Sequence, residues 1–246
     1  MSDGQTARIS LWSGPRNVST ALMYAFRSRS DTTVVDEPLL GHYLRVTGVD
    51  QPARDEVLAT FDLDGDRVVR EQLLGPCPTP VLFAKNMAHH LVDLDDDFLD
   101  EVRNVVLTRD PRHMLPSLVQ GIPDPQLFET GLPGQVALVR RELAAGRTPV
   151  VVETATLLAD PPGVLAEVCR RCDIPWDPAM LSWEAGPKPE DGPWGDFWYG
   201  SVRASTGFGP PRTSTRPVPD HLEDLLAACV DLHDEVTAHA IDPAGA

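Results

Sequence analysis

The stretch Ala7-Arg-Ile-Ser-Leu-Trp-Ser-Gly-Pro-Arg-Asn-Val-Ser-Thr-Ala-Leu-Met-Tyr-Ala-Phe-Arg-Ser-Arg29 decides the fold. Ala7–Trp12 reads as a short buried strand, and Val18–Arg29 has the apolar spacing of an amphipathic helix. Ser13-Gly14-Pro15 breaks the strand and opens the helix, so the two are joined by a tight turn. Such a turn aims backbone N–H groups and the positive helix end at one point, which favours a phosphate. Ser19 and Thr20 add hydroxyl donors there and Arg16 adds a charge; the plainer alternative is an ordinary strand-to-helix turn with a serine cap. The nucleoside-triphosphate loop G-x-x-x-x-G-K-[ST] is absent, with no lysine following and no second glycine, which argues against ATP.

Outward from this turn, short β-like runs alternate with helical ones. Thr32–Val35, Val81–Lys85, Asn104–Thr108 and Pro149–Glu153 read as four further strands. Helices are expected near Leu39–Val46 and Pro52–Phe61, from Pro111 with a disturbance at Pro116, and over Leu132–Ala145, Pro161–Cys172 and Asp220–Ala240. Alternation of this kind implies a central parallel sheet covered by helices on both faces, an α/β fold. With no internal repeat or linker, the chain reads as a single domain. Residues 39–80 are an insertion expected to shape the acceptor site. Residues 183–219, rich in Gly, Pro and Trp, read as a long lid loop.

Composition narrows the function. Apolar content of 42% and charged content of 24% are ordinary for a globular protein, and no apolar run approaches the roughly 18 residues of a membrane span. No leader-like segment opens the sequence, and the expectation is a cytoplasmic protein without a membrane partner. The formal charge of −16 disfavours a nucleic-acid surface. Charge is unevenly spread, however: residues 7–30 hold Arg8, Arg16, Arg27 and Arg29 with no acid, and residues 102–113 hold three arginines against Asp110. Two basic islands in an acidic chain suit one small polyanion. Only Lys85 and Lys188 accompany 19 arginines, so Lys85, at a strand end, stands out as wanted for its compact ammonium. Cys169 and Cys172 form a C-x-x-C inside a helical pattern without a second pair and read as core or surface side chains. Asp62–Asp66 hints at a calcium loop, but its twelfth position is Leu73 and it reads as a solvated turn.

The second constellation is Leu107-Thr-Arg-Asp-Pro-Arg-His-Met-Leu-Pro-Ser117, joining the fourth strand to its helix. Arg109 ends the strand and Ser117 lies on the helix, so both point to the crevice at the carboxyl ends of the strands, where ligands bind. The two loops together make two anion sites, which suits a donor with phosphates at its 5′ and 3′ ends.

On these residues the chain resembles the sulfotransferases that use 3′-phosphoadenosine 5′-phosphosulfate, particularly a bacterial group beginning Ser-Gly-Pro-Arg. Pro15-Arg-Asn-Val-Ser-Thr20 is similar to that family's 5′-phosphosulfate loop, P-K-S-G-T-T in its commonest form. Arg109 and Ser117 match its 3′-phosphate pair, and Phe83-Ala-Lys85 stands where many members end a strand in Lys-x-His. Residues 149–161 with Ile174–Pro178 are similar to its late strand-helix segment. The resemblance implies a P-loop nucleotide-binding type of fold and a sulfuryl donor as co-substrate, held by Ser13, Gly14, Arg16, Asn17, Val18, Ser19, Thr20, Arg109 and Ser117. It implies a small-molecule hydroxyl or amine acceptor and no required metal; oligomeric state is not legible.

Departures bear on the base. Arg16 and Val18 replace the loop's usual lysine and glycine, and Met87 stands where cytosolic relatives place a catalytic histidine. Other branches use a glutamate after the second strand, here Glu37, which is the first choice, with His89 and His90 next. Arg16 and Lys85 are expected to act on the transferring group. In the lid, Trp194, Trp198 or Phe208 offers a stacking surface and Arg203 a further reach to the 3′-phosphate. The rival readings are a small-molecule kinase on a related fold and a non-catalytic nucleotide-binding module.

Overall fold

A computed structural model describes residues 6–210 and 216–242. Strand β1 (Ala7–Ser13) runs into helix α1 (Ser19–Arg27) and returns through β2 (Thr32–Asp36). Helices α2 (Leu40–Thr47), α3 (Arg54–Thr60) and α4 (Gly65–Val68) precede β3 (Val81–Met87). Strand β4 (Arg103–Thr108) is followed by α5 (Pro111–Leu118) and α6 (Leu132–Ala144). Strand β5 (Val150–Glu153) leads to α7 (Thr154–Ala159) and α8 (Pro161–Arg171). Two single turns, α9 (Gly195–Trp198) and α10 (Gly200–Arg203), come before α11 (Glu223–Thr237). The segment expected as a loop over 183–219 thus contains short helices, and its residues 211–215 lie outside the described residues.

The five strands form one sheet in the order β2-β3-β1-β4-β5, with every pairing parallel, as the α/β reading expected. Alternation along each strand explains why both faces are covered. Leu11, Phe83, Leu107 and Val152 face a core closed by α1 and α8, through Leu22, Phe26, Leu165 and Val168. Their neighbours Trp12, Ala84, Val106 and Val151 face the other core, closed by Leu138 and Val139 of α6 and Val236 of α11. Burying each such Leu, Val or Phe side chain contributes about 1.5–3 kcal/mol, so a strand with two apolar faces is stable only between two helical layers. Among the described residues no helix is long and apolar enough to cross a membrane.

Boundary differences have local causes. Helix α5 begins at Pro111, where a missing N–H costs nothing, with Asp110 accepting from the Arg112 amide at 2.8 Å. It continues through Pro116 but ends two residues later. Helix α7 was not expected, because six residues are too few for a periodic pattern. Its start is fixed by Glu153, whose carboxylate accepts from the Thr156 amide at 2.8 Å. Strand β3 runs two residues past Lys85 because Asn86 and Met87 pair with Trp12 and Ser13. The residues 39–80 hold α2 to α4, and Leu40, Tyr43, Leu44 and Val57 make a third core with Trp194 and Tyr199. Cys169 and Cys172 are buried in the α8 core, where burial pushes their thiols up to about 11 and about 12.

One buried polar network crosses the sheet to α6. The Trp12 indole N–H donates to Asn104 Oδ1 at 2.9 Å, and Asn104 Nδ2 donates to Leu99 O and to Glu142 Oε1 at 2.7 and 2.9 Å. Asn104→Ala strands the fully buried indole N–H and is expected to lower the unfolding free energy by about 1–3 kcal/mol. Urea denaturation measures this, and a loss below about 0.5 kcal/mol, the range of surface changes, would contradict it.

Candidate active site

The carboxyl ends of all five strands open on one cavity of about 850 Å³. That is within the size range of small-molecule and cofactor sites. The turn after β1 lies at its centre. Asn17 anchors it: Nδ2 donates to Leu107 O at 2.9 Å, and Oδ1 accepts from the Val18 amide at 2.8 Å and from the Thr154 hydroxyl. Beneath it, Gln135 Nε2 donates to Leu107 O at 2.7 Å. Gly14 packs so close to the 130–131 turn that a Cβ there would sit 2.6 Å from Thr130 O. Glycine is therefore required by the approach of two backbones. The side chain of Ser13 lies under the turn, bonded to Gly14 O at 2.8 Å, while Gly14 to Thr20 line the cavity.

Arg16 and Arg109 meet over β1 and β4. Arg16 Nε donates to Ser117 Oγ at 2.9 Å, and Arg109 Nη1 donates to Arg16 O at 2.6 Å. Among the described residues neither guanidinium has a carboxylate within ion-pair distance. Burial lowers the pKa of both, and the Arg16 charge lowers that of Arg109 further. Arg16 adopts a left-handed φ of 55° and its guanidinium lies 5.5 Å from the Trp198 ring centre. Two half-buried cations without an ion pair among the described residues suit an anion. The structure thus brings Arg16, Arg109, Ser117 and Trp198 together. Arg203 is not brought to the cavity wall: Asp191 holds it at 2.9 Å and Asp196 at 2.6 Å.

The other end of the cavity lies over β2 and β3. Asp36 pairs with Lys85 in the sheet register, and Glu37 follows with a φ of 44°, a second non-glycine residue held in the left-handed region. Lys85 is 1% exposed, and its ammonium donates to Asp36 Oδ1 at 2.8 Å, Glu37 Oε1 at 2.6 Å and the Tyr199 oxygen at 2.5 Å. An ammonium has three hydrogens, so all are taken by protein acceptors. Burial alone would lower the Lys85 pKa, yet the two carboxylates more than offset it and hold the amine protonated. Burial pushes the Asp36 carboxyl up, with Glu37 adding to the effect against Lys85. Burial also keeps the Tyr199 phenol neutral.

His89 and His90 border this end beside Tyr43, whose ring stacks on His90 at 4.6 Å. Nδ1 of each histidine is buried without a hydrogen-bond partner. Burial drives His90 down to about 3, helped by the Lys85 charge, and carries His89 well below its ordinary range, so both rings are neutral at pH 7. Sequence reasoning missed Asp36, Thr154, Gln135 and Tyr199. A signal existed only for Asp36, adjacent to Glu37; the others are ordinary in their local context. The neutral histidines predict a pH effect. The unfolded chain binds protons at these rings below about pH 6.5 while the folded chain does not until far lower. Their contribution is complete above pH 6.5 and is lost as the pH falls from there toward 3. Unfolding free energy should therefore drop between pH 6.5 and 5 in denaturant titrations, and drop less in His89→Gln/His90→Gln; equal slopes would refute it.

The family model described as Sulfotransferase domain matches residues 7–240. Two proteins of Arabidopsis thaliana, "Branched-chain-amino-acid aminotransferase-like protein 2" and "protein 1", are 36% and 37% identical over 94% and 93% of this chain. The chain spans about two fifths (41%) of the length of each. In fold it is similar to a sulfotransferase from Alicyclobacillus acidocaldarius, with a TM-score of 0.55 at 14% identity and 98% of both chains covered. It is likewise similar to the sulfotransferase domain of the Synechococcus PCC 7002 olefin synthase, with a TM-score of 0.51 at 15% identity over 98% of both. A family-model match running from β1 to beyond the end of α11 shows that the chain belongs to the sulfotransferase domain family.

Proposed function

We propose that this protein transfers a sulfuryl group from 3′-phosphoadenosine 5′-phosphosulfate to a hydroxyl or amine of a small molecule. The observation that carries the reading is the pair of guanidinium groups without ion-pair partners among the described residues, Arg16 bonded to Ser117 and Arg109 bonded to the Arg16 carbonyl, above adjacent strand ends. The turn from Ser13 to Thr20 holds the 5′-phosphosulfate against the N-terminus of α1, and Arg109 with Ser117 holds the 3′-phosphate. The 183–219 segment acts as the lid, with Trp198 facing the donor, and residues 39–80 support it and wall the acceptor. Arg203 serves the lid through Asp191 and Asp196.

In the transfer, Glu37 takes the proton of the acceptor O–H or N–H. The acceptor atom bonds to sulfur as the bond from sulfur to the bridging oxygen breaks, and that electron pair leaves on the 5′-phosphate of adenosine 3′,5′-bisphosphate. Arg16 and the α1 N-terminus stabilise charge developing on these oxygens. The sulfuryl group carries one negative charge, which the turn and Arg16 can balance. Lys85 contributes its field and, through its bond at 2.6 Å, the placement of Glu37. Burial lowers the basicity of both histidines, which disfavours them in this role.

Adenosine 3′,5′-bisphosphate should bind roughly 10- to 100-fold more tightly than adenosine 5′-monophosphate, the effect of a charge-assisted contact, and Arg109→Ala should erase most of the difference. Equal affinities by calorimetry reject the donor. Thermal shifts separate the rivals: stabilisation by ATP and not the bisphosphate favours a kinase, and by neither a module of another kind.

A panel of phenols and amines, with release of the bisphosphate as readout, tests the base. Glu37→Gln should keep bisphosphate affinity and lose roughly 10²–10⁴ in turnover, whereas His89→Ala and His90→Ala retain it. Turnover that survives Glu37→Gln and fails in either histidine variant would reassign the role.

A further inference from the structure

Lys85, Asp36 and Tyr199 form a closed set of bonds between the sheet and the lid. Tyr199 lies 114 residues from Lys85. Its oxygen accepts from Lys85 at 2.5 Å and from the Trp194 indole at 2.8 Å, and its hydrogen goes to Asp36, whose oxygens lie 3.0 and 2.8 Å away. A second lid group, the Gly192 amide, donates to Asp36 Oδ2 at 3.3 Å. The only carboxylate of the set that lines the cavity is Glu37, on the third hydrogen of the same ammonium. His90 and Arg203 are also titratable neighbours: the Lys85 charge acts on the His90 ring, and the Arg203 guanidinium lies 5.9 Å from the Tyr199 ring centre.

We infer that Tyr199 and Lys85 are positioning residues that bolt the lid to Glu37, so that lid seating and base placement form one cooperative unit. The inference rests on Glu37 being the base. Its physical ground is that a buried ammonium tolerates no lost acceptor. When the lid lifts, Tyr199 and Gly192 leave, Asp36 loses two donors and Lys85 one acceptor. The ammonium and its carboxylates must then rearrange, and Glu37 with them. A fully satisfied polar network of this kind resists removal of any one member.

Amide hydrogen exchange read by mass spectrometry tests this. Tyr199→Phe keeps the ring in the core it shares with Leu40, Leu44 and Trp194 and removes the hydroxyl that joins Lys85, Asp36 and the Trp194 indole. Exchange across residues 188–204 should rise roughly tenfold, the value of a hydrogen bond to a charged group, with the strands unaffected. Lys85→Met should give the same regional rise, and the double variant no more than the larger single one, because the two act on one unit. Asp36→Asn replaces Lys85→Met if that variant does not fold. In the wild-type assay background, Tyr199→Phe should lower kcat while leaving KM for the sulfuryl donor and bisphosphate affinity in place. Unchanged exchange over 188–204 in Tyr199→Phe, or effects that multiply in the double variant, overturns the bolt. A wild-type protein that fails to bind adenosine 3′,5′-bisphosphate would end the sulfuryl reading, while the exchange data still judge the bolt.

Discussion

A protonated amine with 1% of its side chain exposed stays inside a protein only if every hydrogen finds an acceptor. Lys85 meets that condition with groups from three places in the chain: Asp36 at the end of β2, Glu37 just beyond it, and Tyr199 in the 183–210 segment. Each acceptor is needed, so the edge of the sheet, the residue after it and the segment above it are placed by one charge. Two carboxylates around one ammonium leave the cluster with an excess of negative charge. Burial relieves part of this by making Asp36 harder to ionise. The preference for lysine over arginine here follows, because a compact point charge fits among three acceptors where a planar fork does not.

The opposite arrangement holds over β1 and β4. There the guanidinium groups have no ion-pair partner among the described residues, and the neighbouring acids Asp110 and Glu153 raise the Arg109 pKa less than burial and Arg16 lower it. A chain of net charge −16 thus holds a compact place where two guanidinium groups have no ion pair among the described residues. The contrast divides the cavity into an end with Arg16 and Arg109 and an end with Lys85 and Glu37, with the turn after β1 between them. Backbone geometry sharpens the division: Arg16 and Glu37, one at each end, both occupy the left-handed region that costs about 1–3 kcal/mol for such residues. Both are held there by tertiary bonds, Arg16 through its carbonyl to Arg109 and Glu37 through its amide to Lys85 O at 2.7 Å.

The sheet and most helices were legible in the linear pattern because a parallel strand between two apolar layers leaves a run of buried residues, and amphipathic helices leave a period. Arg16, Arg109 and Ser117 were legible for a related reason. In a parallel sheet every carboxyl end opens on the same edge, so residues just after strands converge whatever their separation in sequence. The short α7 was not, since its start depends on one carboxylate at Glu153, and a six-residue turn carries no period.

What the sequence by itself determined, then, is the layered α/β fold, the tight turn after β1 and the placing of Arg109 and Ser117 just after β4, each encoded in residues near one another along the chain. What only the tertiary structure decided is the partnering of the charges. Whether Lys85 presents its hydrogens to a ligand or spends them on Asp36, Glu37 and Tyr199 depends on where a tyrosine 114 residues away comes to rest. Whether Arg203 faces the cavity depends on Asp191 and Asp196 beside it in space. Local sequence sets which groups are available, but burial and distance set their charge states and partners, and those quantities exist only after the chain has folded.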